Sequence, residues 1–215
     1  MSRPLRTTFF RSAGTKLPMR KEKMNIKTYY ESVLAQHVEV LSKTREKVFG
    51  PFSKLVSDCL SAIQRGNKLL IFGNGGSASD AQHIATELTV RFEKDRSAIA
   101  AVALTTDTST LTAIGNDFGF ENLFSRQIEA LCVQGDVAIG ISTSGNSENV
   151  IRALKTAKQI GAITAALGGG DGGRMKEIAD HPIIVPSKTT ARIQEMHIII
   201  GHMLCGAIER GLVPL

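Results

Sequence analysis

The period of the apolar positions changes near Gly66. Across residues 25–65, Val33, Leu34, Val38, Val40 and Leu41 recur at helical spacing. The Gly-Pro-Phe step at 50–52 interrupts that rhythm. Two helices are therefore expected to meet there, the second running from about Pro51 to Gln64 and ending near Gly66. Beyond Gly66, short runs that are apolar throughout end in Gly, Ser or Thr and lead into helical stretches. Lys68–Phe72, Ala98–Leu104, Val137–Ile141, Ala162–Leu167 and Ile183–Val185 are the predicted strands, and 78–91, 122–133, 148–160 and 173–179 the predicted helices. A closing helix is expected over 190–210, preceded by Pro186, capped by Ser187, Thr189 or Thr190, and ended by Gly211 with Pro214.

Strands apolar on both faces and alternating with helices imply an α/β fold. The expected architecture is a five-stranded parallel, doubly wound sheet flanked by helices, with the N-terminal helices added to it. A chain of 215 residues suits one such domain, over 24–215, behind an extension over 1–23. The 42% hydrophobic and 21% charged residues are those of an ordinary globular chain.

Net charge is +6, which raises the question of nucleic acid. All of that excess lies in residues 1–23, where seven basic residues (Arg3, Arg6, Arg11, Lys16, Arg20, Lys21, Lys23) face the single acid Glu22. The remainder is neutral, so no nucleic-acid partner is expected. The extension has no long apolar run, which argues against a signal peptide or a membrane span. It resembles a transit peptide only faintly and reads instead as an upstream start, a tag or a disordered tail. Cys59, Cys132 and Cys205 are widely spaced and form no CxxC, which fits buried thiols in a reducing, cytoplasmic compartment.

In an open α/β sheet, ligands bind beyond the carboxyl ends of the strands. Two polar loops fall there: Gly73-Asn74-Gly75-Gly76-Ser77 after the first strand, and Ser142-Thr143-Ser144-Gly145-Asn146-Ser147 after the third. The second loop places hydroxyls beside helix-start N–H groups, a setting suited to phosphate. It lacks the lysine of a Walker A loop, and no GxGxxG follows any strand, so a dinucleotide site is not expected. These are also ordinary turn residues, and a plain capped turn is the competing reading. His83 and Glu87 stand one turn apart on one helix face, a spacing that serves two metal ligands, a base with its partner, or a simple surface contact. Gln194 and His202 lie about 12 Å apart along an ideal helix. They reach one metal only by leaning together or across a subunit boundary. His37, His181 and His197 read as structural or surface histidines.

From about Met24 onward, GNGGSASDAQHIATEL, GNDFGF, GISTSGNSENV, GGGDGG and ARIQEMH together resemble the sugar isomerase (SIS) domain family, in particular its phosphoheptose isomerases. That resemblance implies interconversion of sedoheptulose 7-phosphate and D-glycero-D-manno-heptose 7-phosphate through an enediol, supplying heptose for bacterial surface glycans. It implies that Ser142, Thr143, Ser144 and Ser147 hold the phosphate. Asn74, Gly75, Gly76, Ser77, Asn116, Asp117 and Gln194 would line the sugar site. One zinc per subunit would sit on His83, Glu87, Gln194 and His202. Glu87 and His202 would be the acid–base pair, in a homotetramer with active sites at subunit contacts. The family also has a non-catalytic relative that binds the bacterial replication initiator, and the resemblance implies that it lacks the acid and imidazole that this chain carries at Glu87 and His202. Two departures stand out: Val90 where glycine is common, and GGGDGG in place of Thr-Gly-Lys-Asp-Gly-Gly.

Overall fold

The computed structural model describes residues 24–212; the basic extension over 1–23 lies outside the described residues. The chain runs α1 (Ile26–Gln64), β1 (Leu69–Gly73), α2 (Gly76–Thr89), β2 (Ala101–Ala103), α3 (Thr108–Asp117), α4 (Ser125–Leu131), β3 (Val137–Ile141), α5 (Glu148–Ile160), β4 (Ile163–Gly169), α6 (Met175–Ile178), β5 (His181–Val185) and α7 (Thr190–Leu212). All strand pairings are parallel, in the order β2-β1-β3-β4-β5. Successive side chains of a strand point to opposite faces. Leu69 and Ile71 of β1 thus join a core with α1, α2 and α7, while Leu70 and Phe72 join a second core with α4, α5 and α6. Both faces are covered, as the uninterrupted apolar strands require.

The expected break at 50–52 is not there: α1 is one helix of 39 residues that passes through Pro51. Proline inside a helix costs about 3 kcal/mol through its missing N–H and its clash with the preceding turn. The buried stripe Val40, Thr44, Val48, Leu55, Cys59 and Ala62 continues in phase across that position. Leu55 and Cys59 are fully buried, and one such leucine contributes about 1.5–3 kcal/mol, enough to offset much of the penalty. The closing helix likewise runs past its expected end. Gly211 stays helical and lies against Leu60 of α1, where a Cβ would stand 2.7 Å from a Leu60 methyl. The second predicted strand shrinks to three edge residues. An unpredicted helix, α3, forms over a Thr-rich segment because Asp107 caps it, accepting from the Thr110 amide at 3.0 Å and hydroxyl at 2.7 Å.

At the amino ends of β1 and β3, fully buried Asp136 accepts from the Lys68 ammonium at 2.6 Å, the Lys68 amide at 3.0 Å and the Val133 amide at 2.9 Å. All three cysteines are buried free thiols; burial pushes Cys132 up to about 11 and Cys205 up to about 12, so both stay protonated. Among the described residues no helix is long and apolar enough to cross a membrane.

Candidate functional site

From β1 the chain crosses to β2 on one side, then returns to place β3 on the other. The strand order therefore reverses between β1 and β3, and a crevice opens beyond their carboxyl ends. Gly73 pairs with Ile141 there, so the two polar loops leave the sheet side by side. They are bolted together by a reciprocal amide pair: Asn74 donates to Asn149 at 2.9 Å and Asn149 donates back at 2.8 Å.

The loop after β3 turns its hydroxyls inward. Ser142 Oγ lies 2.9 Å from Ser147 Oγ and 3.4 Å from Ser144 Oγ. Ser147 is the N-cap residue of α5, yet its side chain makes no capping bond. Serine at an N-cap ordinarily bonds the helix amides; here the hydroxyl faces a cavity of about 130 Å³ lined by Asn74, Ser77, Ser142, Thr143, Ser144, Ser147 and Gln194. Hydroxyls together with the amides that open α5 give this cavity the chemistry that suits an anion. Gly145 (φ +66°) lies so close to the Gly172 carbonyl that no side chain fits, and Gly145 O accepts from Met175 N at 3.0 Å. The GGGDGG stretch thus buttresses the hydroxyl loop through its backbone, and the Gly that replaces Lys at position 170 does not enter that contact.

Gln194 comes from α7 and lies over Gly76, where a Cβ would run into its amide. Its helix is anchored to α1 by neighbours: His37 Nδ1 bonds Glu195 at 2.8 Å, Arg192 bonds Glu195, and Arg192 donates to the Val33 carbonyl at 2.9 Å. One turn on, His197 is fully buried and donates to the Gly168 carbonyl at 3.0 Å; burial lowers it to about 4, against the pull of that bond, so it is neutral and structural. His181 bonds Asp58 at 2.6 Å. All three histidines set aside from the sequence hold elements together.

Further along the same two helices, His83 Nε2 lies 2.8 Å from His202 Nε2 and 3.4 Å from Glu87 Oε1. The three ligand atoms lie within 4.8 Å of one another. Two imidazoles and a carboxylate converging with a side open to solvent form the donor set of a divalent ion such as zinc. His83 and Glu87 therefore meet His202 across the α2–α7 contact. Gln194 lies elsewhere on α7, in the anion cavity. Asn116 and Asp117 bond each other at 2.7 Å at the exposed end of α3. Next to them Gly115 lines a second cavity, of about 500 Å³, shared with Asn74, Gly75, Thr105, Thr112, Phe120 and Phe124.

Several residues of the site region drew no role from the sequence. Asp80, one turn before His83, has a buried Oδ2 without a hydrogen-bond partner; burial pushes its carboxyl up and His83 opposes the shift. Its raised state follows from packing, which periodicity does not reveal. Phe92, Arg96 and Glu209 likewise owe their places to packing that periodicity does not reveal. Val90, the first departure from the family pattern, sits at φ −94°, where no glycine is needed.

The profile of the SIS domain matches residues 29–169. A phosphoheptose isomerase of Paramagnetospirillum magneticum is 54% identical over 191 residues, 89% of this chain and 100% of that protein. One of Aquifex aeolicus is 62% identical over 149 residues, 69% of this chain and 78% of its own. The solved phosphoheptose isomerase of Neisseria gonorrhoeae superposes with a TM-score of 0.81 at 42% identity, over 86% of this chain and 98% of that one. With this fold, these loops and these relatives, the chain belongs to the SIS domain family and, within it, to the phosphoheptose isomerases.

Proposed function

We propose that this protein interconverts sedoheptulose 7-phosphate and D-glycero-D-manno-heptose 7-phosphate. The observation that carries the reading is the meeting of His83, Glu87 and His202 on the helices whose first turns border the hydroxyl cavity. From Gly76 to His83 is about 10 Å along α2 at 1.5 Å per residue. An extended seven-carbon sugar phosphate spans about 10 Å from standard bond lengths. A phosphate in the cavity thus leaves the carbonyl end near the triad.

Ser142, Thr143, Ser144 and Ser147 hold the phosphate, and their distance from the reacting carbons makes them orienting groups. Asn74, Gly75, Gly76, Ser77, Asn116 and Asp117 border the sugar. Glu87 removes the proton from the carbon beside the carbonyl and returns it to the neighbouring carbon. His202 exchanges the oxygen protons. His83, Glu87 and His202, completed by Gln194 from another copy, would hold one zinc ion. When bound, the ion supplies Lewis acidity toward the carbonyl oxygen.

Within one chain Gln194 and His202 lie about 12 Å apart along α7, so a shared ion favours an assembly in which copies complete each other's sites. A homotetramer is the proposed form. Its supporting observation is the apolar surface of α1, where Leu34, Val38, Leu41 and Phe49 are exposed and the last two share a groove with Met203 of α7. The reaction is assigned to the cytoplasm, as the first step toward ADP-heptose and the lipopolysaccharide core. The non-catalytic alternative, binding of the replication initiator, is not favoured, since the acid and imidazole it lacks are present and adjacent.

The test is turnover of sedoheptulose 7-phosphate with metal analysis, before and after chelation. Turnover that falls with the metal and returns with zinc is expected. A fully metallated, folded protein without isomerase activity overturns the reading.

A further inference from the structure

The connection between α2 and β2 is held by far more polar contact than its exposed course requires. Glu209 of α7 is 1% exposed. Its carboxylate accepts from the amides of Phe92 at 3.2 Å, Glu93 at 3.0 Å and Lys94 at 2.8 Å, and from Arg96 Nε at 3.0 Å. The Arg96 side chain is 4% exposed and donates onward to the carbonyls of Glu87 at 2.8 Å, Leu88 at 2.8 Å and Ser97 at 3.0 Å. Helix ends leave carbonyls unsatisfied, and a left-handed glycine with the amides after it usually answers some of them. Here Val90 ends α2 at φ −94°, and a guanidinium takes the carbonyls instead.

One end of this network therefore grips the main chain of Glu87 itself. Its other end is rooted on α7 seven residues after His202, on the same helix face. Between them the connection lays Phe92 beside the catalytic imidazole, with ring centroids 5.7 Å apart and planes 30° apart. A Cβ at Gly206 would stand 3.2 Å from the Phe92 ring, so the ring is seated between His202 and the next turn. We propose that Arg96 and Glu209 form a positioning clamp that sets the Glu87 carboxylate against the His202 imidazole, with Phe92 as the wall that fixes the imidazole plane. The inference rests on the isomerase reading and deepens it.

A buried ion pair is seldom the most stable filling for its space. Acid–base chemistry, by contrast, tolerates little displacement: about 1 Å of misplacement costs about 100-fold in rate. Groups that orient metal ligands likewise govern metal affinity by about 10- to 100-fold. These two demands distinguish a positioning clamp from a purely structural ion pair.

The test uses the full chain with Arg96→Lys, Glu209→Gln and, leaving the ion pair intact, Phe92→Leu. Three quantities are read well below each variant's Tm: kcat and KM for sedoheptulose 7-phosphate, Co2+ affinity by chelator competition, and the visible spectrum of bound Co2+. The clamp predicts kcat lower by about 10- to 100-fold with KM within about threefold, and Co2+ affinity weaker by about tenfold. Phe92→Leu shifts the Co2+ spectrum with a smaller kcat loss. Variants that lose only Tm, keeping native kcat and Co2+ affinity, overturn the proposal. Should the two charge variants fail to fold, Phe92→Leu decides alone, and a native kcat and spectrum overturns it. A wild-type protein without turnover sinks the isomerase reading, whereas the Co2+ measurements still judge the clamp.

Discussion

Replacing Gly145 with alanine isolates the packing that shapes the anion receptor. Residue 145 sits at φ +66°, and its added Cβ would overlap the Gly172 carbonyl oxygen and stand 3.0 Å from Gly173 N. Holding an L-residue in the left-handed region costs roughly 1–2 kcal/mol. Forcing a methyl into filled space adds roughly 1–3 kcal/mol, and no rotamer relieves it because the obstacle is backbone. If the loop stays in place, the loss is roughly 2–5 kcal/mol, or roughly 4–20 °C in Tm for a chain of this size. If the loop retreats, Ser144 and its neighbours leave the cavity. Each hydrogen bond to a charged phosphate is worth about 1.5–3 kcal/mol, so losing one raises KM about 10- to 100-fold. Gly66→Ala is the control: its φ is +84° with nothing within 4 Å of the added methyl, so it shows the conformational cost alone and leaves KM unchanged. Thermal unfolding and isomerase kinetics on both variants give the answer. Equal Tm and equal KM in the two would refute the claim that the GGGDGG backbone shapes the phosphate loop.

Three further outcomes are expected. Glu87→Gln lowers kcat by about 10²- to 10⁴-fold, the usual contribution of a general base, while calorimetric binding of the sugar phosphate persists; turnover at the wild-type rate removes Glu87 from the mechanism. Ser144→Ala raises KM about tenfold and changes kcat little, and a wild-type KM argues against the phosphate assignment. Asp136→Asn costs about 3 kcal/mol at pH 7 by breaking a buried ion pair. Burial pushes the Asp136 carboxyl up, but Lys68, the amides of Lys68 and Val133, and Asn67 together hold it below the usual range. Its contribution is therefore fully present above the unfolded value of about 3.9 and is lost as pH falls through the folded one. By urea unfolding, the stability of the wild type should fall more steeply below about pH 4 than that of the variant; parallel profiles exclude this carboxylate as a source of acid lability.

How far the chain disclosed itself depended on the range of each interaction. β3 was read to the residue, because Val137–Ile141 is bounded by Asp136 and the hydroxyl loop, both local signals. The two polar loops were legible for the same reason, and so was the shared helix face of His83 and Glu87. The break at Pro51 was a sound local inference that a distant surface overruled: the stripe from Val40 to Ala62 is in phase only if the helix continues. In α3 the error ran the other way, since Thr-rich composition hid a helix that one capping aspartate starts. His202 joined the site through resemblance, 119 residues from the His83 it touches. Arg96 and Glu209, 113 residues apart, had neither a local pattern nor a motif to mark them. Period and turn chemistry specify where α2 and α7 begin and which faces they bury. The rotation of one helix on the other specifies whether Glu87 meets His202. In the proposed clamp that rotation rests on a buried charge, a set of backbone amides and one phenyl ring, none of which has a periodic signature. The chemistry is therefore written locally as residue types, and its geometry is written in contacts that no window of sequence contains.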